Sequence, residues 1–251
     1  MSSRLYLYGV VEPVRHHSLG TTGVDGATVL VVPEGEFGVA MSSTTREQVT
    51  PTKADLTAHQ RVLEYLLEEC DAVLPFSFGT LATDREAVRQ LVTRAAENFR
   101  ESMGKVRGCI EVGLKVLWQR DAMLREVEAI TGPVAGGQGG SRSEGERRNR
   151  AIQVGQVVEQ VSRSWAERYV PMITAALAPH CRDWREGELI GPTMFWNGSF
   201  LVQREHESEF RDALAGLDRR LGNRLAFHHV APMPPYNFVQ LKIAMAEEET
   251  E

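Results

Sequence analysis

Several short stretches of this chain combine residue types that could do chemistry. The adjacent pairs His16-His17 and His228-His229, and the cluster His180, Cys181 and Asp183, offer the nitrogen, thiolate and carboxylate donors of a zinc site. Neighbouring side chains on a strand point to opposite faces, so neither histidine pair closes easily on one ion. The third cluster has no companion with ligand spacing to complete a tetrahedral set. Gly136-Gly137-Gln138-Gly139-Gly140 has the glycine content of a phosphate-binding loop. It lacks the Gly-Lys-Ser/Thr ending and the strand-loop-helix setting that wrap backbone N–H groups around a phosphate. Asn197-Gly198-Ser199 is a glycosylation acceptor only on a secretory route. The chain has no Gly-x-Ser-x-Gly elbow and no His-Glu-x-x-His pair. The sequence therefore assigns no catalytic, cofactor-binding or metal-binding residue, and the expectation is a protein that binds or assembles rather than an enzyme.

Composition narrows the class further. The chain has 251 residues, 42% hydrophobic and 25% charged, with a net charge of −6. Those proportions fit a soluble globular protein, and the acidic balance argues against nucleic acid as a partner. No stretch approaches the roughly 20 apolar residues that span a bilayer. The start, MSSRLYLYGVVEPVRHH, lacks the pattern of a secretory leader, so a cytosolic protein is expected. Cys70, Cys109 and Cys181 lie far apart and read as reduced thiols.

The elements that must position any site follow from periodicity. LYLYGVV (5–11) reads as a strand. Val29–Val32 and Phe37–Met41 flank Pro-Glu-Gly-Glu and read as a hairpin. A helix is expected from Thr52, with Leu56, Leu63, Leu66, Leu67 and Cys70 on its inner face. VLPFSFG (73–79) is strand-like, and Pro75 marks it as an edge or a bulge. Thr83 and Glu86 form a capping box ahead of a helix through Met103. Ile110 to Trp118 alternates apolar and polar residues as a half-buried strand does. A long helix over 148–177 places Val154, Val158, Val161, Trp165, Tyr169, Met172 and Ala176 inward, with Pro171 set to kink or split it. MFWNGSFLVQ (194–203) is read as one strand with Gly198 at a bulge or close contact. A helix over 205–221 and strands at 224–230 and 236–243 complete the pattern.

These elements predict an α+β protein of two domains with mainly antiparallel sheets. The boundaries are an N-terminal domain over 1–131, a Gly-rich linker over 132–147 and a C-terminal domain over 148–251 ending in a short acidic tail.

Four stretches together resemble the gas vesicle GvpL/GvpF family. Tyr6-Leu7-Tyr8-Gly9-Val10-Val11 is similar to its Y-x-Y-G-I/V opening. Val73-Leu74-Pro75-Phe76-Ser77-Phe78-Gly79-Thr80 resembles its V-L-P-V/L-R/P-F-G-T segment. Glu111-Val112-Gly113-Leu114-Lys115-Val116 resembles E-W/V-G-V-K-V, and Pro232-Met233-Pro234-Pro235-Tyr236-Asn237-Phe238-Val239 resembles the ending G-P-W-P-P-Y-S-F-V. Ser77 stands where a basic residue is common, and Ala231, Met233 and Asn237 replace glycine, tryptophan and serine. The resemblance implies a ferredoxin-like C-terminal domain and a non-catalytic accessory protein without cofactors. It implies contact with the small hydrophobic shell protein GvpA and with other accessory proteins, in the cytoplasm during assembly and at the gas vesicle.

Within that reading the candidate contact residues are Tyr6, Tyr8, Pro75, Phe76, Phe78, Tyr236 and Phe238. The 73–79 edge is the expected meeting place with a partner strand. Pro232, Pro234 and Pro235 read as a corner that feeds the last strand, with Tyr236 and Phe238 facing outward. Two rivals stay open: a generic protein-interaction module unrelated to gas vesicles, and an enzyme on a ferredoxin-like scaffold.

Overall fold

The structure, a computed structural model, describes residues 3–12, 17–133 and 144–239. The core of the Gly-rich stretch, His16, and the end of the chain from Gln240 lie outside the described residues. The chain is α+β, with its described strands in two sheets, and divides into two compact units, 1–111 with 231–251 and 112–230.

The first unit is built on a six-stranded sheet ordered β2-β3-β4-β1-β5, with β6 also paired to β1. The strands are β1 (Arg4–Val11), β2 (His17–Thr22), β3 (Thr28–Glu34), β4 (Phe37–Thr44), β5 (Val73–Pro75) and β6 (Leu81–Ala82). The expected hairpin forms between β3 and β4 and closes at Glu34↔Phe37, with Gly35 at φ 62°. β1 pairs antiparallel with β4, and the register shifts between Leu7 and Gly9, so Tyr8 is an extra residue. The Tyr6 and Tyr8 rings lie with centroids 4.8 Å apart. Gly9 is required here, because a Cβ would stand 3.3 Å from Leu63 and 3.0 Å from the Leu74 carbonyl.

Helix α1 (Lys53–Glu69) covers the sheet face that carries these rings, and the Thr52 hydroxyl accepts from the Asp55 N–H as its cap. Its buried side chains are Asp55, His59, Val62, Leu63, Leu66 and Leu67, whereas Leu56, expected inside, is 46% exposed. Two polar residues therefore sit on the buried stripe. Helix α2 (Arg85–Val106) packs on the opposite face, where Phe99 meets Phe37 edge-on at 5.5 Å. Its cap is Asp84, whose carboxylate accepts from the Ala87 N–H, one residue later than the expected Thr83. β5 is terminal in the sheet, as Pro75 suggested. It is not an open edge: Val73, Leu74 and Pro75 are all buried, so no partner strand can add there without displacing the packing around it. The segment expected as a last strand begins instead as a turn at Tyr236, and Phe238 points inward at 3% exposure.

The second sheet is ordered β10-β7-β9-β8, from β7 (Cys109–Trp118), β8 (Asp183–Glu186), β9 (Met194–Gln203) and β10 (Leu225–Met233). Helices α3 (Arg120–Thr131), α4 (Glu144–Leu177) and α5 (Glu207–Leu221) complete a β-α-β-β-α-β connectivity with α3 and α4 in the first crossover. This order is compatible with a ferredoxin-like arrangement. Helix α4 runs unbroken through Pro171. Its inner stripe is Val161, Trp165, Tyr169, Ile173 and Leu177, a strict spacing of four in which Ile173 replaces the expected Met172. β9 is one strand, as read from the sequence. Gly198 lies under the Trp196 ring, whose nearest atom would be 2.3 Å from an added Cβ.

Replacing Gly198→Ala should therefore push a 4%-exposed indole off its seat. The expected cost is about 1–3 kcal/mol, read as a lower denaturant midpoint at unchanged slope. An unchanged midpoint would mean that the ring is free to swing.

Candidate functional site

The buried polar residues of α1 point to the most organised side-chain cluster in the first unit. His59 is 4% exposed. Its Nδ1 lies 3.0 Å from the Tyr6 hydroxyl on β1, and its Nε2 lies 3.1 Å from the Tyr236 hydroxyl in the C-terminal turn. Three rings pack around it. Tyr8 stacks at 5.6 Å, Phe78 meets it edge-on at 5.6 Å, and Tyr6 does so at 5.7 Å. The Gly79 N–H donates to the Tyr6 oxygen at 3.0 Å. We assign the pattern that uses every group: Tyr6 accepts from Gly79 and donates to Nδ1, and Nε2–H donates to Tyr236.

Burial sets the electrostatics. It holds the His59 imidazole neutral, pushing its pKa down from 6.5 to about 4, against a smaller opposing pull from the Phe76 carbonyl. Burial raises the Tyr6 phenol to about 12 and pushes Tyr236 upward as well. Tyr8 is tied independently: its hydroxyl lies 2.9 Å from Ser42 Oγ and accepts from the Val24 N–H at 2.8 Å. Beside the cluster, Arg46 bridges Asp25 and Asp55, and this pairing first, then the Thr52 hydroxyl, lowers the Asp55 pKa. A neutral imidazole bonded at both nitrogens offers no proton and no lone pair to a substrate. The cluster is built to hold its shape.

A second buried carboxylate fastens the same turn. Glu111, on β7, is 1% exposed. It accepts from the Asn237 backbone N–H at 2.9 Å and from Asn237 Nδ2 at 2.5 Å. Phe238 fills the space beside it, with Lys105 Nζ 5.8 Å from its ring centre.

Among the sequence-derived contact residues, Tyr6, Tyr8, Pro75, Phe76 and Phe238 are buried. Phe78 is half-buried and Tyr236 is 41% exposed, so these two rings carry the cluster to the surface. Sequence reasoning missed His59 and the buried role of Glu111. The signal for His59 was its place four residues before Leu63 and seven before Leu66, on the apolar stripe. Glu111 had no such signal, since it falls on the strand face expected to be wet. His228 and His229 are exposed on β10, the side chains of the pair at 16–17 fall outside what is described, and among the described residues no three His, Cys, Asp or Glu side chains converge to hold a metal.

The four motifs thus meet physically in one unit: Tyr6 and Tyr8, Phe78 and Gly79, Glu111, and Tyr236 with Asn237. A family model described as gas vesicle synthesis protein GvpL/GvpF matches residues 4–240. The chain belongs to the GvpL/GvpF family. It is 26% identical to gas vesicle protein F of Dolichospermum flosaquae, over 96% of this chain and 99% of the relative. It is 27% identical to gas vesicle protein F of Streptomyces sp. (strain CB03234), over 94% and 99%. The crystal structure of GvpF from Anabaena sp. PCC7120 superposes with a TM-score of 0.79 at 26% identity, covering 95% of this chain and 97% of that one. An accessory role in gas vesicles follows from GvpL/GvpF membership. No helix among the described residues is long and apolar enough to cross a membrane.

The neutral buried histidine makes the fold sensitive to acid. As pH falls from 6.5 towards about 4, the unfolded chain takes up a proton at His59 that the folded chain refuses. Stability should fall across that window by up to about 1.4 kcal/mol per pH unit. His59→Phe should be less stable at pH 7 but should lose this component of the slope. Urea midpoints of both proteins at several pH values check it, and parallel pH profiles would exclude His59 as the source.

Proposed function

We propose that this protein is a non-catalytic assembly factor that binds the small hydrophobic shell protein GvpA, and other accessory proteins, in the cytoplasm while gas vesicles form. Family membership over residues 4–240 supports the setting. The observation that carries the binding reading is the pair of accessible rings, Phe78 and Tyr236, mounted on a buried base that fixes their orientation. Rigid aromatic groups lose little entropy on binding and supply much of the energy of protein interfaces. Tyr6, Tyr8, Pro75, Phe76 and Phe238 serve as the support beneath them.

The physical need is clear. A shell protein that lines a gas space must carry a water-repelling face, and before assembly that face is an aggregation hazard. An acidic helper can cover part of it and keep the pair in solution. The contact is made by side chains on the unit's surface, since β5 is buried. The hydrogen-bonding of both His59 nitrogens supports a binding rather than a catalytic role.

The test is retention of GvpA by the full-length chain. Phe78→Ala with Tyr236→Ala should reduce retention about tenfold or more, whereas Tyr236→Phe, which keeps the ring but loses its bond to His59, should lose less than the double variant. Undiminished retention by a double variant that melts cooperatively would rule out this surface.

A further inference from the structure

The second unit carries a groove of about 400 Å³ that the shell-protein reading does not use. One wall is α4, with Glu167 and Pro171; the other is the end of β8, its connection to β9 and β9 itself, with Glu186, Leu189, Trp196 and Asn197. The connection is tied down, because the Gly187 N–H donates to the Asn197 carbonyl at 2.9 Å and Asn197 Nδ2 donates to the Glu188 carbonyl at 2.9 Å. The groove is therefore preformed.

Its polar character is one-sided. None of the residues lining it is basic. The Trp196 indole N–H is spent on Glu186 Oε1 at 3.0 Å. Glu167 and Glu186 both expose carboxylates. Pro171 has no N–H to return to the Glu167 carbonyl one turn earlier, so that main-chain oxygen lacks its helical donor. The groove thus offers acceptors and negative charge between apolar surfaces. Leu189 and Ile190 extend the apolar surface beside it, at 57% and 65% exposure. That area exceeds what one small cation would cover, and it asks for a chain segment.

We propose that this groove docks a segment of another protein in which a lysine or arginine stands beside a bulky aliphatic residue. The cation meets Glu167, Glu186 and the freed carbonyl, and the aliphatic side chain lies on Leu189 and Trp196. This contact is independent of the Phe78–Tyr236 surface and gives the protein a second partner.

Photo-crosslinking tests it in the full-length chain within vesicle-forming cells, with benzoylphenylalanine in place of Leu189. The cross-linked peptide, identified by mass spectrometry, is expected to come from a different protein and to contain Lys or Arg next to an aliphatic residue. Adding Glu167→Lys and Glu186→Gln, which leaves an acceptor for the Trp196 indole, should cut the product about tenfold or more. A matching thermal melt shows that this variant is folded. Four results would overturn the proposal: no product, a product on a second copy of this chain, a product on an acidic segment, or a yield that ignores the charge change.

Discussion

One imidazole holds the first unit's sequence-distant parts together. His59 belongs to α1, yet its two nitrogens reach the Tyr6 hydroxyl on the first strand and the Tyr236 hydroxyl near the end of the described chain, 177 residues away. Only a neutral ring bridges two hydroxyls in this way, donating through one nitrogen and accepting through the other. Burial supplies the neutrality, and the hydrogen bonds prevent burial from stranding a polar group. The Glu111–Asn237 contact repeats the same logic one residue further along, with a carboxylate receiving two donors of a single residue. Between them these contacts convert Tyr236–Phe238 from a loose tail into a fixed turn.

A β-bulge at Tyr8 accompanies this arrangement. The Tyr6 and Tyr8 rings lie 4.8 Å apart, and their hydroxyls go to different partners: Tyr6 to His59 and Gly79, Tyr8 to Ser42 and Val24. Gly9 follows because the Leu74 carbonyl of β5 and Leu63 of α1 come too close there for a Cβ. The Tyr-x-Tyr-Gly pattern therefore combines a ring that bonds α1 through His59, a second that stacks on the same imidazole, and a glycine where neighbouring elements crowd the strand.

Much of this was legible in the sequence because it is local. The β3–β4 hairpin, the Thr52 cap, the single strand through Gly198 and the α+β class all rest on periodicity or turn chemistry within a few residues. The misses are non-local. Nothing near Tyr236 signals that it will meet His59, and the apparent alternation of Tyr236 and Phe238 suggested a strand where the chain turns. Leu56 and Met172 were assigned inward by spacing alone, and the buried faces rotated to Asp55 and His59 in one helix and Ile173 in the other. Pro75 did mark a terminal strand, but an edge is open only where its backbone reaches solvent, and all three residues of β5 are buried.

The contrast between support and surface bears on how such a helper can work. A protein that must hold an aggregation-prone partner and then surrender it cannot present a large apolar face, which would bind too much and release too slowly. Of the seven sequence-derived contact residues, the aromatics Tyr6, Tyr8, Phe76 and Phe238 are spent inside, and Phe78 and Tyr236 emerge in part. Under the proposed binding role, a small, rigid contact would give selectivity from orientation and a modest total affinity, because few side chains are available to be desolvated. The polar base beneath it explains why the contact can be small. With His59 bonded on both sides, the rings are ordered without a partner, and under the proposed role little binding energy would go into ordering them.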